Sequence, residues 1–512
     1  MKITKLPTTH TKTSSRLTAS RLTARSLTIA LGLSLMTTAS VAATAPTAFS
    51  LPSMTAGANF YDTYRNEQIA AWSLRQIYDD LPLVEDPWAN QVLVQLSAEL
   101  NAKVRTQQLY ATPLIVDNSM NAFAVPGGLI GMNTGTILAA QGLDEVASVL
   151  AHEIAHISQR HYESRMENNK KLMALQLGGL IAAIAASAAG GDAALLAMAG
   201  GQTATAESAA THSRENEKEA DRVGMQILVQ SGYDAHAMPR FFSRLQRQLN
   251  INQAKNAFMP SFMQSHPFTA ERMSEASARA ASYAKPVMTA KHEQAKLFDR
   301  WSWRIKYLTK QATYAELVAN APQSEGARLA LASWLADAQR HREATQVLEV
   351  GRFDAADVLV CITKSHLVFA QKQYDQAIEM IKPCQAIYPE RRDLRLILAK
   401  YHIHAGDGQA ANALLSPLTF DGSHDLSAWQ LSAQAYELMA RTATSDHATT
   451  IATINALRAR SQVELWRGQY QGALQSLAQA DELAAGSDRT KLMRAMLAKD
   501  KDAVISARDF RP

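Results

Sequence analysis

Acidic residues are missing from the first 42 positions, where six lysines and arginines precede an apolar run, Leu27 to Met36, and a stretch of small residues. This order is typical of a secretory signal, and we predict cleavage near Ala42. The apolar run is too short for a stable membrane anchor, although an uncleaved anchor is the alternative. Removing the six basic residues lowers the formal net charge from +5 to about −1, so the basic isoelectric point does not indicate a nucleic-acid partner.

Cysteine is nearly absent, since the chain has only Cys361 and Cys384. No cysteine stands directly after the predicted cleavage site, so we expect no bacterial lipoprotein anchor. In an exported chain an even pair predicts a disulfide, and two buried free thiols are the alternative. A turn near Lys372 lies midway between the two cysteines. Antiparallel helices joined there would place both at the same level.

Long, strongly apolar runs are also lacking. Residues 172–200 come closest, with Asp192 as their single charge, but their many alanines and glycines make them only weakly apolar. We predict a buried or surface helical hairpin there. A segment that makes a peripheral membrane contact, or that covers an active-site cleft, is the alternative.

The segment from Asp144 to His161 predicts one helix with Asp144 as its N-cap. Its core stripe would be Val146, Leu150, Ile154 and Ile157. His152 and His156 lie one turn apart on the opposite side, with Glu153 beside them. Two such imidazoles can bind one zinc ion, and the carboxylate can accept a proton from zinc-bound water. A surface helix with solvated histidines is the alternative.

A third ligand must come from elsewhere in the chain. The metzincin spacing is missing, because Tyr162 stands where that pattern has histidine, and His161 is out of phase and predicted on the core side. The third ligand should therefore be a carboxylate on a second helix. In the segment Glu215–Gly224, Glu217 and Asp221 are four residues apart and share one face. Glu217 could bind zinc while Asp221 fixes an imidazole or the substrate.

The segment before the motif has strand-like periodicity. It predicts three short strands, at 113–116, 121–125 and 129–133. Thr134 would cap the next helix. An edge strand of this sheet could bind an extended peptide through backbone hydrogen bonds, and a purely structural meander is the alternative. Helices at 60–81 and 88–109 are predicted to pack around the motif helix.

Beyond Lys285 the sequence becomes repetitive. Small residues recur at a spacing of 33 or 34, and then of 62, at Ala344, Ala377, Ala411 and Ala473. A second set precedes each of them, at Ala332, Ser365, Ala399 and Ser461. This period predicts about four helical hairpins of the tetratricopeptide type, stacked into a curved binding solenoid. A generic helical bundle is the alternative.

The motif from His152 to His156, the segment Asn216–Arg222 and the preceding Asn121–Gly128 together resemble the M48 family of zinc metallopeptidases. The signal segment and the repeats narrow the resemblance to its periplasmic branch, which acts in the assembly of outer-membrane β-barrel proteins. The resemblance implies that His152, His156 and Glu217 bind one zinc ion per chain. It also implies Glu153 as the general base and Asp221 as a proton donor.

The segment Ser265–Arg272 matches the family pattern H-P-x-x-x-x-R. The resemblance implies that His266 is an autoinhibitory fourth ligand that holds the enzyme latent. A loop histidine that merely precedes a proline is the alternative.

These observations predict a mainly α protein in four parts. They are a signal peptide at 1–42, a zincin-like metallopeptidase domain with a small β-sheet at 43–285, a linker and helix at 286–323, and an α-helical repeat solenoid at 324–512. The resemblance implies a periplasmic zinc metalloendopeptidase with a chaperone-like role in quality control and assembly of outer-membrane β-barrel proteins. Misfolded or stalled outer-membrane proteins would be substrates, and the repeats would bind the assembly machinery. The alternatives are a non-catalytic repeat scaffold on a peptidase fold and a general periplasmic peptidase.

Overall fold

The computed structural model describes residues 60–104, 108–162, 178–179, 182, 214–254, 266, 268–284, 288–351, 353–354, 356–485 and 490–512. All of them belong to one compact unit, Thr55–Pro512. The predicted signal segment lies outside the described residues, as does nearly all of the alanine-rich segment at 172–200. Across the described part of the chain, no helix combines the length and apolar character needed to cross a bilayer.

Two helices open the described chain, α1 at Phe60–Asp80 and α2 at Pro87–Asn101. As the sequence predicts, a proline lies where the second helix starts, since Pro87 is the first residue of α2. The side chain of Asp86 caps α2 by accepting a hydrogen bond from the Ala89 N–H at 2.8 Å. The predicted extension of this second helix to residue 109 is wrong, because α2 ends at Asn101.

The three predicted strands are confirmed as β1 (Leu114–Ile115), β2 (Ala122–Val125) and β3 (Leu129–Asn133). β3 is central, with β1 parallel to it on one side and β2 antiparallel on the other. The outer side of β1 is covered, because the Val84 N–H donates to the Leu114 carbonyl at 2.9 Å. Within the described ranges no further strand lies beside β2, which is therefore the edge of this sheet.

The helix after the sheet, α3, is Thr134–Ala139, and its N-cap residue is Asn133. The prediction that Thr134 caps this helix is wrong, because its hydroxyl is used elsewhere. It donates to the Asp117 carbonyl at 3.0 Å and accepts from the Asp117 N–H at 3.2 Å. These bonds join the turn after β1 to the start of α3.

In the described part of the chain, α3 is followed by the helices α4 (Leu143–Ser158), α5 (Arg214–Gln230), α6 (Ala237–Ala254), α7 (Ala270–Ala280) and α8 (Met288–Leu308). Helix α4 is central, since α2, α5, α6, α8 and β2 all pack against it. Its residues from Glu145 to Ser158 are all buried. The chain thus places the predicted motif helix in the middle of a core.

Helix α8 occupies much of the segment predicted as a linker and helix. The indole N–H of Trp301 donates to the Ala89 carbonyl at 3.0 Å, and Arg304 forms an ion pair with Asp86 at 2.7 Å. Both contacts join α8 to α2. Because α8 is packed in this way, it is part of the folded body. The domain boundaries themselves remain predictions.

The rest of the described chain is helical. After α9 (Tyr314–Asn320) come the hairpins α10/α11 (Glu325–Asp337, His341–Val350), α12/α13 (Val358–Ala370, Tyr374–Ile387) and α14/α15 (Arg392–Ala405, Gly408–Leu415). Then follow α16 (Leu426–Thr442), the pair α17/α18 (Asp446–Trp466, Tyr470–Ala485) and α19 (Lys491–Asp509). All eight predicted small residues are no more than 1% exposed. The predicted repeats are confirmed, and α16 accounts for the 62-residue spacing.

The late repeat helices pack back onto the beginning of the described chain. Trp429 and Trp466 share one apolar core with Ile69, Leu74 and Phe123. Arg75 of α1 lies over the Trp466 ring at 5.6 Å. The repeats therefore stabilise the sheet domain, and the sequence did not predict this contact.

The predicted disulfide is present in the structure. Cys361 of α12 and Cys384 of α13 are bonded across one hairpin, with their Cα atoms 6.6 Å apart. Both cysteines are buried. Helices α12 and α13 are joined at residues 371–373, where the turn near Lys372 was predicted.

Replacing Cys361 and Cys384 together by alanine is expected to lower the free energy of unfolding of the repeat region by about 3 kcal/mol, because the bond closes a loop in the unfolded chain. Urea unfolding followed by tryptophan fluorescence measures this change. Reductant should reproduce the loss in the wild type and leave the double variant unchanged. A wild-type midpoint that is insensitive to reductant would contradict the prediction.

Candidate metal centre

The motif helix differs from the prediction at both ends. The N-cap of α4 is Gly142 rather than Asp144, and the helix ends at Ser158 rather than at His161. Asp144 lies in the first turn, where its carboxylate pairs with Arg240 of α6 and accepts from the Glu145 N–H. The predicted core stripe is buried, but so is the opposite face. The solvated-histidine alternative is excluded by this burial.

Four side chains converge inside this core: His152, His156, Glu217 and His266. Each offers one ligand atom, and these four atoms all lie within 4.8 Å of one another. The two Nε2 atoms of His152 and His156 are 3.0 Å apart. Each lies 3.4 Å from one oxygen of Glu217. All four side chains are at most 3% exposed, so they form an enclosed group of potential metal ligands.

The close crossing of α4 and α5 brings Glu217 and Asp221 to the histidines. Gly224 lies at this crossing, where an added Cβ would be 3.1 Å from backbone atoms of Ala151 and His152. A larger residue would push the two helices apart. The glycine at the end of the predicted carboxylate segment thus has a packing role that spacing alone did not reveal.

Asp221 lies behind His152 and does not join the four-residue group. Its Oδ1 is 3.0 Å from His152 Nδ1, while Arg272 donates to both of its oxygens at 2.7 and 2.8 Å. Burial alone would raise the pKa of Asp221, but the hydrogen bonds and charge of Arg272 lower it below its usual value. The carboxylate is therefore held in its ionised form.

Arg272 ends the H-P-x-x-x-x-R segment, and its role at the site was not predicted from the sequence. It is 3% exposed and also lies 2.9 Å from Glu217, through Nη1. Thr269 caps α7 by accepting from the Arg272 N–H at 3.2 Å. This cap fixes the start of the helix that carries the guanidinium. One buried cation thus compensates two buried carboxylates.

Glu153 is fully buried beside the four-residue group. Its carboxylate lies 3.3 Å from His266 Nε2 and faces the backbone N–H of Ala124 in β2. Burial raises its pKa above the usual range, an effect that the neighbouring histidines oppose. The carboxylate is thus placed between the potential ligands and the edge strand of the sheet.

The charges of the group are strongly coupled. Burial alone would raise the pKa of Glu217, but His266 and His156 hold it well below its usual range. Burial alone would lower the pKa of His152, but hydrogen bonds to Asp221 and Glu217 raise it to about 10. The site therefore favours a negative carboxylate next to a positive centre. Imidazole nitrogens and a carboxylate oxygen are also the donors that zinc accepts.

The phase argument for His161 does not apply, because α4 ends at Ser158, but His161 is buried at 3% exposure. Its Nδ1 is 3.0 Å from His156 Nδ1, and its Nε2 is 3.3 Å from Glu219 Oε2. It is not a member of the four-residue group. Glu219 has no role predictable from spacing, because its partner His161 lies 58 residues earlier in the chain.

Comparison with known proteins relates the segment that carries this site to a peptidase family. Residues 84–280 match the model of peptidase family M48, and residues 368–435 match a tetratricopeptide-repeat model. The beta-barrel assembly-enhancing protease of Escherichia coli (strain K12) is 27% identical, over 80% of this chain and 84% of its own length. The protein of the same name from Yersinia pestis is 27% identical, over 71% and 75%.

A more distant relative matches a smaller part of the chain. The mitochondrial metalloendopeptidase OMA1 of Danio rerio is 27% identical over 38% of this chain and 41% of its own length. The chain therefore carries a peptidase domain of family M48, followed by tetratricopeptide repeats.

Proposed function

We propose that this protein is a zinc metalloendopeptidase of the periplasm, with His152, His156 and Glu217 as zinc ligands. The observation that carries the proposal is the enclosed group of ligand atoms within 4.8 Å of one another, with Glu153 beside it. Two imidazoles and a carboxylate are a ligand set of catalytic zinc sites. The donor chemistry of these residues thus fits one zinc ion per chain.

A zinc ion bound here would polarise the scissile carbonyl and lower the pKa of a water molecule to about 7. Glu153 would accept the proton of the attacking water and pass it to the leaving amine. Its raised pKa suits both steps. Asp221, which Arg272 keeps ionised, would orient His152 rather than donate a proton.

We propose that β2 binds the substrate. It is an edge strand, and its Ala124 N–H faces Glu153, so a peptide added beside it would pass close to the general base. Backbone pairing of this kind tolerates many side chains. This mode of binding suits an endopeptidase that acts on unfolded segments.

Metal content and casein cleavage by the full chain together test the enzymatic proposal. The purified protein should contain about one zinc per chain. A strong chelator should abolish cleavage, and added zinc should restore it. A metal-free protein that cannot be loaded with zinc, or cleavage that survives complete zinc removal, would overturn the proposal.

We propose that His266 holds the resting enzyme latent. Its Nδ1 lies 3.2 Å from both oxygens of Glu217 and 3.3 Å from His152 Nε2. Its Nε2 contacts Glu153. An imidazole held in this position would occupy the fourth position of a bound zinc ion, which water or the substrate carbonyl would otherwise take.

Replacing His266 by alanine is therefore expected to raise casein cleavage several-fold at equal zinc content, because the fourth ligand position becomes accessible to water and substrate. His236→Ala provides a matched control, since that histidine is 40% exposed and pairs with Asp234 away from the ligand group. Unchanged or lower cleavage by a folded, zinc-loaded His266→Ala variant would contradict the latent state.

The repeats supply a second surface. A cavity of about 910 Å³ lies between their inner helices and the start of α2, and Lys400, Tyr401 and His404 of α14 are among its lining residues. We propose that this face binds the outer-membrane β-barrel assembly machinery, and that stalled or misfolded outer-membrane proteins are the substrates. The names of the curated relatives and the repeats support this proposal.

A chaperone-like role would use the same face of the repeats without cleavage of the bound protein. A peripheral membrane contact by residues 172–200 remains a prediction.

Binding of the full-length chain to purified assembly machinery tests this second proposal. Lys400→Glu, on the inner face, should weaken binding, while Lys382→Glu, on the exposed side of α13, should not. Equal binding by both variants would exclude the inner face as the docking surface. Absence of binding by the wild type would favour a general periplasmic peptidase.

A further inference from the structure

His161 is a buried histidine that the proposed reaction does not use. It lies three residues after the end of α4 and is 3% exposed. Arg160, which lies between α4 and His161, has a φ of 54°, in the left-handed backbone region, and α4 ends two residues before it. The ring of His161 contacts His156, with the two Nδ1 atoms 3.0 Å apart.

The proposed metal site assigns the protons of this contact. If His156 binds the ion through Nε2, the atom that faces Glu217 and His152, its own proton lies on Nδ1. That N–H would donate to His161 Nδ1, which lies 3.0 Å away. His161 must then carry its own proton on Nε2, which faces Glu219 Oε2 at 3.3 Å. Arg222 in turn donates to Glu219 at 3.3 Å.

The two histidines of the motif are therefore supported in different ways. His152 has the carboxylate of Asp221 directly behind its Nδ1. His156 has the imidazole of His161 there, with the carboxylate of Glu219 one ring further away. The second arrangement reaches the surface, since the Glu219 side chain is 42% exposed.

We propose that His161 and Glu219 are positioning residues that fix the tautomer and ring orientation of His156 as a metal ligand. This inference rests on the proposed zinc site. Partners of this kind hold a ligand ring in its binding geometry, and their loss typically weakens metal binding 10- to 100-fold.

Zinc affinity of the full-length chain, measured by competition with a chromophoric chelator, provides the test. His161→Leu removes the acceptor, whereas His161→Asn keeps an oxygen near the position of Nδ1. We expect His161→Leu to weaken zinc binding about 10- to 100-fold and His161→Asn to retain most of the affinity. The absorption spectrum of the cobalt-substituted protein should change in His161→Leu and stay close to that of the wild type in His161→Asn.

The surface carboxylate allows a matched pair of variants that do not disturb the core. Glu219→Ala should weaken zinc binding in the same direction by a smaller factor. Glu215→Ala, which removes the same charge from an exposed position on the same helix, should not. Unfolding of the metal-free proteins should be similar in His161→Leu and His161→Asn, which separates positioning from general stability.

Wild-type affinity in His161→Leu would overturn the inference, and so would equal weakening in His161→Leu and His161→Asn. Equal zinc affinities of Glu219→Ala and Glu215→Ala would show that Glu219 is not a positioning residue. A wild-type chain that binds no zinc would overturn the proposed function and this inference together. Wild-type zinc binding that is insensitive to His161 would overturn the inference alone.

Discussion

The Glu153→Gln variant is expected to bind zinc like the wild type and to cleave casein about 10²- to 10⁴-fold more slowly, the factor that a positioned general base contributes. The side chain is fully buried beside the ligand group and is not one of its four members. Glutamine has nearly the same shape, so the fold and the metal site should persist. The amide cannot accept the proton of the attacking water.

Single-turnover cleavage of a fluorogenic peptide and zinc analysis on the same preparation measure both parts of this prediction. Glu215→Gln is the matched control, because it makes the same change on an exposed face of α5. Near-normal cleavage by Glu153→Gln would remove Glu153 from the reaction. Loss of zinc from the variant would instead show that the carboxylate supports the metal.

Replacing Arg272 by methionine is expected to lower the free energy of unfolding of the metal-free protein by about 3–5 kcal/mol, the usual cost of breaking a buried ion pair. The guanidinium compensates the carboxylates of Asp221 and Glu217, and all three groups are buried. Methionine fills a similar volume but leaves two carboxylates without their cation. Zinc should bind more weakly as well, because Asp221 would no longer be held against His152.

Urea unfolding in the presence of a chelator measures the stability change, and chelator competition measures the zinc affinity. Arg279→Met is the control, since Arg279 lies in the last turn of the same helix and is less buried. If Arg272→Met unfolds at the same urea concentration as this control, the guanidinium does not stabilise the fold by compensating the charges of Asp221 and Glu217.

Local spacing predicted a large part of the site. His152 and His156 share a face because residues four apart on a helix always do, and the same rule pairs Glu217 with Asp221. The repeats were also predicted from spacing, because small residues recur wherever the two helices of a repeat cross closely. The cysteine pair followed from the expected turn between two antiparallel helices.

Predictions that depended on the end of an element were less accurate. Asp144 was expected to cap α4, yet Arg240, almost a hundred residues later in the chain, pairs with its carboxylate. The phase argument for His161 assumed that the helix continues, whereas α4 ends at Ser158. Helix ends depend on side chains brought in by other elements, and periodicity does not contain that information.

The amino-acid sequence by itself determined which residues of this chain are chemically equipped for the site and which helices carry them, because a helical repeat converts spacing directly into a shared face. Only the tertiary structure showed that Arg272 compensates the carboxylates of Glu217 and Asp221, that Glu219 contacts His161, and that the late repeats pack on α1. These contacts join segments separated by tens to hundreds of residues. Their geometry is set by core packing and by the need to pair buried charges, neither of which leaves a periodic trace in the chain.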